Sequence, residues 1–204
     1  AAALGVSYYK TTAGGRLEAP ALPEAAQALV RALYIEGLGE FYVRNALPYP
    51  PAFTLAAPTA PPIPSASAAP AAPKKAVVAF GGGMDSHVAL ALVERAGVHA
   101  ELASVALSDN VARVIADCTD RTVTFIARKL DPRLLAANKA GALNGHIPVT
   151  AIHSLILILY ASLTGADWVV LANEKSADEA TLQIDGHDVN HQFSKTFRAE
   201  GLIR

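Results

Sequence analysis

The run Gly81-Gly82-Gly83-Met84-Asp85-Ser86 has the residue types to cradle a phosphate. Three glycines let backbone approach an anion without Cβ clashes. Loop amides followed by a helix N-terminus offer donors and a positive dipole end. A nucleotide phosphate is the natural occupant. No Gly-Lys-Ser/Thr closes the run, so it is not a Walker loop, and its glycine spacing is not that of the dinucleotide fingerprint. Two further polar stretches, Asn173 to Glu179 and Asn190 to Lys195, carry groups that bind metal, neutralise phosphate or move protons. His146 and His191 are proton-transfer candidates because imidazole titrates near neutrality.

Each of these has a plainer reading. The glycine run fits an unliganded βα turn, and Asn173–Glu179 fits a solvated helix start. Ser108-Asp109-Asn110 fits a helix cap as well as a nucleotide contact. His187 and His191 stand four apart, the spacing of metal ligands on a helix, but Asp185-Gly186 and Val189 favour a hairpin or turn there. His153, in an apolar stretch, reads as a satisfied core histidine, and Cys118 as a small buried hydrophobe.

The elements that must position these groups alternate in type. Strands are expected at Ala76–Phe80, Ala100–Leu107, Thr122–Ala127 and Trp168–Leu171. Helices are expected at Ser86–Ala96, Val111–Asp117, Leu130–Lys139 and Thr150–Leu163, the last read as a long buried helix. Such alternation argues for an α/β fold, a parallel sheet with helices on both faces. Ligands then sit at the carboxyl ends of strands. Gly81–Ser86, Ser108–Asn110 and Asn173–Glu179 all fall at such ends. The domain reading is a small N-terminal segment at 1–45 with a helix over Pro23–Glu36, an Ala/Pro-rich extended or disordered linker at 46–73, and the α/β domain at 74–204.

Composition narrows the class. The 204 residues are 52% apolar with net charge −1, which argues against general disorder and against broad attraction to nucleic acid. One cysteine excludes a disulfide framework, a cysteine zinc site and two-thiol chemistry. No secretory signal is evident, and the apolar run Leu155–Leu163 is too short to span a membrane, so a cytoplasmic protein is expected. The chain starts with Ala and stops at Arg204 soon after a motif-rich stretch, and it is read as a piece of a longer protein.

Gly81–Ser86 resembles the PP-loop of ATP pyrophosphatases, usually Ser-Gly-Gly-x-Asp-Ser, with Gly81 in place of the serine. Those enzymes have the adenine-nucleotide alpha-hydrolase-like fold. Six segments in order, Leu4–Lys10, Gly37–Phe41, Gly81–Ser86, Asn144–Thr150, Asn173–Glu179 and Asn190–Lys195, resemble one branch of that superfamily. It is the ATP-dependent epimerases of UDP-N-acetylmuramoyl-L-alanyl-L-glutamate, which serve peptidoglycan precursor synthesis. The resemblance implies ATP and Mg²⁺ as cofactors, a UDP-linked muramoyl dipeptide as small-molecule partner, and no nucleic acid or membrane partner. It implies adenylation of the terminal L-glutamate, loss and return of its α-proton, and release of AMP and pyrophosphate with D-glutamate.

On that resemblance, Gly81, Gly82, Gly83, Asp85, Ser86, Ser108 and Asp109 are expected to hold the nucleotide, with Asp85 and Glu179 near Mg²⁺. Glu174, Lys175, Asp178, His191 and Lys195 are the expected catalytic set. Asn144, His146, Asn173, Ser176 and Asn190 are expected to bind substrate. Two other classes remain: another PP-loop adenylating enzyme, amide-forming or tRNA-modifying, and a nucleotide-binding module without turnover. A tRNA enzyme would be expected to show a basic surface and often cysteine pairs, which are absent.

Overall fold

The computed structural model describes residues 2–62, 72–106 and 108–204. In chain order the first elements are α1 (Ala2–Tyr9), β1 (Arg16–Glu18), α2 (Glu24–Ile35), α3 (Gly39–Arg44) and β2 (Thr54–Ala56). Then come β3 (Lys75–Ala79), α4 (Met84–Arg95), β4 (His99–Ala106), α5 (Asp109–Ala116) and β5 (Val123–Ala127). The last are α6 (Pro132–Lys139), α7 (Val149–Thr164), β6 (Trp168–Val170), β7 (Leu182–Ile184), β8 (His187–Val189) and α8 (Phe197–Ile203). They form two compact units, one from 1–64, 130–152 and 174–204, the other from 65–129 and 153–173.

The second unit holds a four-stranded parallel sheet of order β5-β4-β3-β6. The two-residue side-chain period of a strand sorts its apolar residues onto two faces. Ala76, Val78, Phe80, Ala100 and Leu102 face α4 and α5 through Ala89, Leu90, Val93 and Ile115. Val77, Ala103 and Val105 face α7 through Leu157 and Ala161. Helices therefore cover both faces, as the near-continuous apolar runs of the strands require. α7 is not fully buried as expected: Ile158, Leu159 and Leu163 are exposed. An apolar sequence all round a helix hides which stripe meets the core.

The strand order reverses between β3 and β6, so the crevice beyond their carboxyl ends is the switch point where ligands enter such sheets. At the opposite ends, the Asp167 carboxylate accepts the Lys74 and Lys75 amides at 2.8 and 3.0 Å. Lys75 also pairs with Glu101 at 2.6 Å, and Tyr160 donates to the same carboxylate.

The first unit packs around Val30, Leu33, Tyr34, Leu38 and Phe41. On α2, Val30, Leu33 and Tyr34 share one helical stripe. Tyr9 meets Tyr34 edge-on at 4.9 Å, and Phe53 stacks on Tyr34 at 5.2 Å. Tyr34 donates to the Ala2 carbonyl at 2.9 Å, and burial pushes its phenol up to about 12.

The linker reading of 46–73 is corrected over its first part. β2 pairs in parallel with β1, Leu55 is buried, and Leu47, Tyr49 and Phe53 pack on the core. Prolines flank β2 without entering it, so its ladder survives. Residues 63–71 of that reading lie outside the described residues.

Candidate functional site

In the second unit, β3 ends and Gly81–Gly83 lead into α4. Gly82 takes φ +77, which a side chain rarely adopts, and a Cβ there would meet Cys118 Sγ at 2.9 Å. At Gly81 and Gly83 a Cβ would meet nothing within 4 Å, so the loop is open toward solvent. Among the described residues no side chain caps α4 at Gly83; the Ser86 amide donates to the Gly83 carbonyl at 3.1 Å, and the amides before it in a helix's first turn have no intrahelical acceptor. Asp85 is exposed, whereas Ser86 is buried with its hydroxyl donating to the Gly83 carbonyl at 2.7 Å. To donate to a phosphate that hydroxyl must leave Gly83.

Ser108 caps α5, its Oγ accepting the Val111 amide at 3.4 Å; it and Asp109 are exposed beyond β4. Asn173 is exposed three residues past the Val78–Val170 register pair, level with Gly81 on the neighbouring strand. Among the described residues no group of three or more His, Cys, Asp or Glu forms a metal site. Mg²⁺ on a nucleotide needs only one or two carboxylates beside phosphates and waters, so Asp85 fits as a lone protein ligand.

Cys118 is exposed rather than buried, its thiol donating to the Val114 carbonyl at 3.2 Å. It lies just past the end of α5, beyond the stripe that meets the sheet. His153 is not the satisfied core histidine expected: among the described residues its buried Nε2 has no partner. Burial and then the Arg128 charge hold its imidazole below the usual range.

In the first unit, four segments far apart in the chain meet. Lys10 at the end of α1 donates to the Asn144 side-chain oxygen and, at 3.4 Å, to the Gly145 carbonyl. Asn45 donates to the Asn144 carbonyl at 3.0 Å. Gly145 takes φ +155, open to glycine alone, and packs against Phe41. The next residue, His146, places Nδ1 4.0 Å from Glu40 Oε2 and its ring 6.3 Å from that of His191. Thr181 Oγ1 meets His191 Nδ1 at 2.7 Å.

Glycines set this convergence: a Cβ on Gly37 would meet Pro148 at 3.0 Å, and one on Gly39 would meet Val189 at 3.2 Å. Burial lowers the His146 pKa, and His191 adds to that. Glu40 opposes them from 4.0 Å and does not prevail, so we read this contact as a neutral imidazole beside a carboxylate. Glu40 is already paired with Arg44.

The other candidates in this unit divide by what holds them. Asn190 donates to the Ala177 carbonyl at 2.6 Å and accepts the Gln192 amide at 2.7 Å, a structural role. Asp178 accepts the Phe197 amide at 2.9 Å at the start of α8. Ser176 donates to Glu174 at 3.0 Å on an exposed turn. Lys175, Glu179 and Lys195 are exposed. His187 sits on the β7–β8 hairpin, turned by Asp185 and Gly186 at positive φ, so the helical metal pair with His191 does not form. Lys10 and Glu40 were given no role by sequence, though both lie in motif segments; only the contacts single them out.

A protein of Micromonospora sp., named UDP-N-acetyl-alpha-D-muramoyl-L-alanyl-L-glutamate epimerase, is 43% identical over 206 residues, 98% of this chain and 44% of its own length. One of the same name from Salinispora tropica is 43% identical over 209 residues, again covering 98% and 44%. One from Xanthomonas oryzae pv. oryzae is 40% identical over 203 residues, 96% of this chain and 43% of the relative. The chain thus spans less than half the length of these relatives. No solved structure matches it. The MurL N-terminal domain family matches residues 1–204, and the chain belongs to that family.

Proposed function

We propose that the protein, in its full length, inverts the terminal L-glutamate of UDP-N-acetylmuramoyl-L-alanyl-L-glutamate to D-glutamate at the expense of ATP. The carrying observation is the cluster of Glu40, His146 and His191, contributed by three distant segments. The names of the relatives support the substrate. A carboxylate resists α-deprotonation because a dianion would result, and activation as an acyl adenylate removes that obstacle. Groups that take and return the proton must reach the carbon from opposite faces, each within about 3 Å, and so stand roughly 6 Å apart. His146 and His191, two imidazoles brought together in this unit, supply that pair. His146, kept neutral by burial, serves as base. Thr181 engages Nδ1 of His191, which leaves proton exchange to Nε2.

The Gly81–Ser86 loop takes the triphosphate on its amides and the start of α4, with Asp85 toward Mg²⁺. The test follows pyrophosphate release and deuterium uptake at the glutamate Cα in D₂O with the full-length protein. Substrate-dependent AMP with deuterated D-glutamate is expected. Asp85→Ala should abolish pyrophosphate release, and His146→Asn should abolish deuterium uptake while sparing that release. AMP formation without inversion sinks the epimerase reading.

A further inference from the structure

Lys10 is 8% exposed, and among the described residues its ammonium donates to neutral oxygens alone, those of Asn144 and Gly145. No carboxylate among the described residues pairs with it. Buried lysines are rare unless paired, because a desolvated charge without a counter-ion is strongly unfavourable. An ammonium has three N–H donors, and the two oxygens occupy two of them. Asn144 is exposed, so the ammonium lies one hydrogen bond beneath the surface. The Asn144 side-chain oxygen also accepts the Gly145 amide at 2.9 Å, which aims it at Lys10.

We infer that Lys10 is the seat of an anionic oxygen of a ligand, a carboxylate or a phosphate, held beside Asn144 in the first unit. This deepens the epimerase reading and rests on it for the choice of ligand. That substrate offers glutamate carboxylates and a UDP diphosphate, and the nucleotide offers a triphosphate. Burial lowers the Lys10 pKa, and an arriving anion would favour the charged form.

The test is calorimetry on the full-length protein and its Lys10→Met variant, without turnover. The probes are UDP-N-acetylmuramoyl-L-alanyl-L-glutamate, the same compound ending in L-glutamine, UDP-N-acetylmuramoyl-L-alanine, and ATP. The expected result is at least tenfold weaker binding of one probe class: loss for the glutamate compound alone identifies its side-chain carboxylate, and loss for the glutamate and glutamine compounds together identifies the α-carboxylate they share. An equal loss for all UDP compounds identifies the diphosphate, and a loss for ATP alone identifies the nucleotide. Unchanged affinities for every probe overturn the seat. Should Lys10→Met fail to fold, Asn144→Asp replaces it: the isosteric carboxylate neutralises Lys10 from an exposed position and must weaken the same probe. Epimerisation assayed in parallel separates the two readings. Affinities untouched in an active epimerase reject the seat alone, whereas ATP binding lost through Lys10 in a protein that never inverts glutamate keeps the seat and rejects the epimerase.

Discussion

Two lysines, one in each unit, are treated in opposite ways. Lys75 opens β3, and its ammonium meets Glu101 at 2.6 Å and the Thr164 carbonyl at 3.1 Å, with Tyr160 completing the knot. That arrangement is closed, and the lysine and tyrosine hold Glu101 below the usual carboxylate range. Lys10 is more deeply set and has amide oxygens alone. A matched charge ties strand to helix, whereas an unmatched one is left for something that arrives later. The contrast separates what the molecule uses to stand from what it uses to bind.

The sharpest way to break the contrast is to remove both charges in turn. Lys10→Met should lower kcat/KM for epimerisation roughly ten- to a hundredfold, the range for a hydrogen bond to a charged group. Its melting temperature should hold or rise, because an apolar side chain suits a buried site better than an unpaired cation. A large fall in melting temperature would make Lys10 structural and erase the comparison. Gly82→Ala attacks the other unit's loop. Positive φ and the Cys118 contact together predict a loss of about 1–3 kcal/mol in stability, with ATP affinity falling and glutamate-dependent binding preserved. Lys75→Met should cost about 1–2 kcal/mol by stranding Glu101, with near-normal turnover at 25 °C in the folded protein. Denaturant titration and steady-state rates check both.

A smaller effect follows from His146, whose folded pKa lies below its unfolded one. The unfolded chain therefore binds more protons between those values, and stability rises with pH through that window. The contribution is complete above about pH 6.5 and lost as pH falls through the folded value. Thermal melts at a series of pH values should show this slope, and His146→Asn should flatten it.

The second unit was largely legible in advance. Short apolar runs separated by glycines and polar caps encode strands and helices locally, so β3, α4, β4 and Ser108 as a cap stood close to where they were expected. The first unit was not, for a physical reason. Its partners lie 134 residues apart for Lys10 and Asn144, and no periodicity reports such pairing. Proline-rich composition concealed Phe53 and Leu55, which bury without forming a long element. Asp178 and Asn190 looked chemical by type but act on backbone groups, a distinction that only hydrogen-bond partners reveal.

The discontinuity of the first unit also sets an order of assembly during synthesis. β3, β4 and β5 are contiguous in sequence and can pair as soon as they leave the ribosome, while β6 and α8 emerge later. Lys10 is translated before Asn144, and its ammonium lacks that partner until the Asn144 loop reaches it. A nascent chain arrested before Asn144 therefore leaves that ammonium without the two oxygens that hold it in the folded unit.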